Sequence, residues 1–120
     1  NYQGDVRVMH HRRAVSHLTG HIEQAWKRDL SWNNTDLDQA TLADLLESPI
    51  LFISGSSVWN PTNEQKDLLK NYVFEGGFIL AEAVDGPACD GAAFEESFRS
   101  LMAELFEKKL EKIDPSHPIW

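Results

Sequence analysis

Pro49-Ile50-Leu51-Phe52-Ile53-Ser54-Gly55 and Gly76-Gly77-Phe78-Ile79-Leu80-Ala81 are the two stretches on which the fold turns. Each holds four apolar residues in a row without polar alternation. In the first, bounded by Pro49 and Gly55, that is the pattern of a strand covered on both faces, as in a parallel sheet, and it places this strand centrally; the second reads as a further apolar strand. Between them, Thr62 followed three residues later by Gln65 is a capping-box signature, and Leu68, Leu69, Tyr72 and Val73 recur at helical spacing. Gly76-Gly77 then supplies a left-handed stop.

Working outward, Thr41 with Asp44 predicts a short helix through Leu42, Leu45 and Leu46, ending before Pro49. Leu30 to Leu37 alternates weakly, with Leu30 and Trp32 apolar, and its two Asn suit an edge strand. Val15, Leu18, Ile22, Ala25 and Trp26 form one apolar stripe of a helix, and Asp5 to His10 alternates around Val6 and Val8 as a first strand. On the other side, Phe94, Phe98, Leu101, Met102 and Leu105 mark a last amphipathic helix. Strands and helices thus alternate along the chain. The expected fold is a doubly wound, three-layer α/β sandwich with a mainly parallel sheet of about four strands in the order 2-1-3-4, flavodoxin-like in plan. Ligands of such sheets bind at the carboxyl ends of the strands beside the switch point. The loops to inspect are therefore His10 to Arg13, Ser54 to Pro61 and Glu82 to Gly91.

The 120 residues, 42% hydrophobic and 25% charged, suit one domain over residues 1–120 with one core. The formal charge of −8 argues against a nucleic-acid partner, because phosphate binding needs clustered cations. It is unevenly spread: residues 1–30 carry five cations against three carboxylates and four of the five His, leaving the acidity to the rest. One cysteine, Cys89, excludes an internal disulfide and a cysteine-rich zinc site. No apolar run is long enough to cross a membrane. No initiator Met is present and the chain stops at Pro118-Ile119-Trp120, so a domain cut from a longer polypeptide is expected, with its compartment open.

Several side chains could carry chemistry. His10, His11, Arg12 and Arg13 follow the first expected strand, where imidazole and guanidinium groups can hold an anion or move a proton; solvation of a helix start is the plain alternative. His17 and His21 have the spacing of a metal clamp, but the residue after His17 is Leu18, not the Glu of a metalloprotease helix, and no third ligand is evident. No metal or cofactor is called for. Ser54, Gly55 and Ser56 leave a strand and can offer amides and hydroxyls to a ligand, without the lysine of a phosphate loop. Trp59 can wall a pocket or cap the core. Glu82, Asp85, Gly86 and Cys89 share the last loop, where α/β enzymes often carry a nucleophile. The helix start would activate a Cys89 thiolate and the neighbouring carboxylates would oppose it.

Taken together, Asp36-Leu37, Asp44-Leu45-Leu46, Pro49 to Gly55, Leu69 to Val73, Gly76 to Glu82, Phe94 to Arg99 and His117-Pro118-Ile119-Trp120 resemble the bacterial family called domain of unknown function 4159. The resemblance implies a sheet similar to that of class I glutamine amidotransferases and trehalose-utilisation domains, and a chain that continues past His117-Pro118. It also implies one or two Cys directly after the strand ending at Glu82. Here those places read Val84 and Asp85. The expected function is therefore a non-catalytic, amidotransferase-like domain binding a small molecule or a protein partner, possible partners including other domains of the same chain. The alternatives are a hydrolase or transferase using Cys89 or Glu82/Asp85 with His10 or His11, and a structural or oligomerising domain.

Overall fold

The computed structural model describes residues 16–25, 27 and 33–120. The chain divides between Thr41 and Leu42 into two units. In the first, residues 16–25 are helical, as the Leu18/Ile22 spacing predicts, and His17 and His21 are both exposed. The expected first strand, Asp5 to His10, lies outside the described residues, as does the start of the expected second one. The remainder of that second strand is corrected: residues 33–36 belong to no strand and 37–39 form a turn. The cause is local. Asp36 Oδ1 accepts from the Asp38 amide at 3.0 Å, and the Asp36 carbonyl accepts from Gln39 and Ala40 at 3.1 and 2.9 Å. A side-chain turn of this kind satisfies the backbone without a ladder, and it outweighs a weak apolar alternation.

The second unit opens with α1 (Leu42–Leu46), a short helix that buries Leu45. It continues through β1 (Ile50–Gly55), α2 (Asn63–Phe74), β2 (Phe78–Ala83) and α3 (Gly91–Phe106). The architecture is mixed α/β, and β1 and β2 pair in parallel from Ile50 opposite Phe78 to Gly55 opposite Ala83. Among the described residues the sheet has these two strands.

Both ends of α2 are fixed by the residues that predicted them. The Thr62 side chain accepts from the Gln65 amide at 3.3 Å and the Gln65 side chain accepts from the Thr62 amide at 2.9 Å, a reciprocal capping box. At the far end, Gly77 N–H donates to the Tyr72 carbonyl at 2.8 Å and Gly76 N–H to the Val73 carbonyl at 3.0 Å. This is a Schellman motif, and Gly76 takes the left-handed φ of +99° that it requires. Thr62→Ala is expected to cost about 1 kcal/mol in urea unfolding, with Thr62→Ser close to wild type. Equal stability of the alanine variant would show that the box contributes nothing.

The core lies between the sheet and the helices α2 and α3, built on the fully buried Leu69, Tyr72 and Phe94 with Leu101, Met102 and Leu105. Residues alternate in direction along a strand, and on β1 the set Leu51, Ile53 and Gly55 is the covered one, with Ile53 and Gly55 buried. The two helices adjoin: Lys66 Nζ reaches both carboxylate oxygens of Glu104, at 3.0 and 2.9 Å. The opposite face is apolar and open, with Ile50 56%, Phe78 54% and Leu80 45% exposed. The expected two-sided burial is thus met on one face only among the described residues.

Past α3 the chain has no further helix or strand, and residues 107–120 are exposed. Its end is nonetheless ordered locally. The Asp114 carboxylate accepts from the Ser116 hydroxyl and amide, which holds it below the ordinary carboxylate range. The Trp120 indole donates to the Asp114 carbonyl at 3.2 Å.

Candidate functional site

The carboxyl ends of β1 and β2 are where a parallel sheet presents its loops, and three backbone-directed bonds tie those loops together here. Val84 N–H donates to the Gly55 carbonyl at 2.8 Å, continuing the ladder one step beyond the strands. Asp90 N–H donates to the Ser56 carbonyl at 2.8 Å, which brings the Ser56 backbone against the Cys89-Asp90 peptide. Gly91 N–H donates to Asp85 Oδ1 at 3.1 Å. The loop from Val84 to Asp90 is therefore a closed rim attached to both strands and to the start of α3.

Within that rim Gly86, Pro87, Ala88 and Cys89 form a tight turn, in which Cys89 N–H donates to the Gly86 carbonyl at 2.9 Å. Proline at the second position suits a type II turn, and the third residue must then adopt positive φ. Ala88 does so, at 67°, where glycine is usual. Cys89 follows at intermediate burial with a free thiol.

The carboxylates of this loop have structural partners. Asp90 is the N-cap of α3, its Oδ1 accepting from the Ala93 amide at 3.0 Å. Asp85 accepts from the Gly91 amide, two residues earlier in the helix. Negative charge at a helix N-terminus is favoured both by the unpaired amides and by the helix dipole, and together the two side chains cover two donors of the first turn. The fit is close: a Cβ on Gly91 would stand 2.6 Å from Asp85 Oδ1 and 2.9 Å from the Val84 backbone.

Of the residues singled out in the sequence, Ser54 is half-buried and lies in register with the exposed Glu82. Gly55 is buried beneath Phe94, whose ring leaves no room for a side chain there: an added Cβ would meet Phe94 Cδ2 at 1.9 Å. Ser56 is half-buried and joined to Asp90, and Gly86 is the acceptor of the turn. Trp59 takes the core-capping alternative. Its ring stacks on Phe94 and on Phe98, each with centroids 6.3 Å apart, and Phe94 and Phe98 stack on each other at 5.9 Å. Its amide donates to Ser97 Oγ at 3.0 Å, and that hydroxyl donates to the Phe94 carbonyl at 2.8 Å. His10, His11, Arg12 and Arg13 lie outside the described residues. Among the described residues no three His, Cys, Asp or Glu side chains are placed to share a metal ion, and no helix is long and apolar enough to cross a membrane.

Asp90 and Ser97 were not among the sequence candidates. Asp90 had a readable signal, an N-cap residue before a helical stripe. Ser97 had none, because its partner Trp59 is 38 positions away.

No curated protein and no solved structure shows significant similarity to the chain. A family model does match, over residues 1–120, and the chain belongs to the family described as domain of unknown function DUF4159.

Proposed function

We propose that this chain is an amidotransferase-like, non-catalytic binding module that takes a small molecule or a protein partner on the carboxyl ends of its strands. The observation that carries this reading is the end of β2. Where the resemblance leads one to expect a nucleophile, Val84 offers no attacking atom and its amide continues the ladder to Gly55, while the Asp85 carboxylate caps Gly91. A strand end built this way is a fixed rim rather than a reacting centre. Ser54, Ser56, Glu82 and Gly86 line its edge, and Trp59 braces it through Phe94 and Phe98.

The test has two arms. Cys89 is expected to react with iodoacetamide near neutral pH no faster than an unstructured cysteine peptide, and a rate ten or more times higher would overturn the non-catalytic reading in favour of a hydrolase or transferase using Cys89. In titrations with a panel of small carboxylates, amides and sugars, amide shifts are expected to concentrate at residues 54–57 and 84–91. Shifts confined to other surfaces would remove the strand ends as the binding site.

The same reading includes a doubly wound, mainly parallel sheet with a further strand beside β1. Its support is the sequence alternation around Val6 and Val8, together with an apolar sheet face at Ile50, Phe78 and Leu80 of the composition that such a fold buries. The amides of Val6 and Val8 are expected to resist hydrogen exchange as strongly as those of β1. Exchange at unprotected rates would reject the additional strand.

A further inference from the structure

We draw no further inference here: the strongest candidate, the exposed apolar sheet face formed by Ile50, Phe78 and Leu80, carries none because nothing in the structure shows what covers it.

Discussion

Gly55→Ala is expected to lower the unfolding free energy by about 3 kcal/mol, a large effect for one methyl group. The methyl would enter the ring of Phe94, at 1.9 Å from Cδ2 and 2.2 Å from Cε2, distances that no rotamer adjustment of alanine can relieve. The ring cannot simply withdraw, because it is fully buried and packed against both Trp59 and Phe98. Phe94→Ala alone is expected to cost about 4 kcal/mol through the cavity it leaves. The informative measurement is the double substitution in a denaturant cycle. Once the ring is gone the methyl has space, so the combined cost is expected to fall short of the sum by about 2 kcal/mol. Strict additivity would mean that the Gly55–Phe94 contact is not what makes position 55 intolerant.

The second large effect concerns Tyr72. This residue is fully buried, and its hydroxyl donates to the Ser48 carbonyl at 2.9 Å, joining α2 to the turn that precedes β1. Removing the hydroxyl deletes that bond, so Tyr72→Phe is expected to cost about 1 kcal/mol at neutral pH. The pH dependence adds a sharper signature. Burial pushes the phenol above its ordinary 10.0, with the Phe78 backbone amide opposing. The native state then holds the proton more tightly than the unfolded chain. The stabilisation is complete below pH 10, and it is lost as pH rises from there through the native value, because the unfolded chain ionises first. Other groups titrate in that range too, so the quantity to follow is the difference between wild type and Tyr72→Phe. It is expected to be constant up to about pH 10 and then to shrink. A difference that stays flat to high pH would show that the phenol is not shielded as the structure places it.

How much of this was legible in the sequence follows from the range of the interactions. α2 could be read at both ends because its caps are made by residues three to five positions apart, Thr62 with Gln65 and Tyr72 with Gly77. β1 and β2 were legible from uninterrupted apolar runs, and β2 reached two residues further than its run, to Ala83, because Glu82 and Ala83 continue the pairing with Ser54 and Gly55. α3 began three residues before its first aromatic, since Asp90 rather than Phe94 sets its start. The strand expected to Leu37 failed past residue 32 because Asp36 turns the backbone on itself. The site was less readable. Asp85 looked like a ligand-facing carboxylate, yet it bonds a helix amide six positions on, and nothing in composition distinguishes those roles. Trp59 is similar, as its choice between a pocket wall and the core depends on α3, far along the chain.

The aromatic stack also has a bearing on how the two strands find their alignment. A parallel pair joined through a helix has no tight turn to set its register. Slipping β1 by one residue would bring Ser54 or Ser56 to the level of the Phe94 ring, and slipping it by two would bring Ile53 or Ser57; each carries the Cβ that Gly55 lacks. Among these alignments only the native one leaves room beneath the Phe94 ring, so the packing of α3 on the sheet disfavours slipped pairings by exclusion as well as favouring the native one by burial.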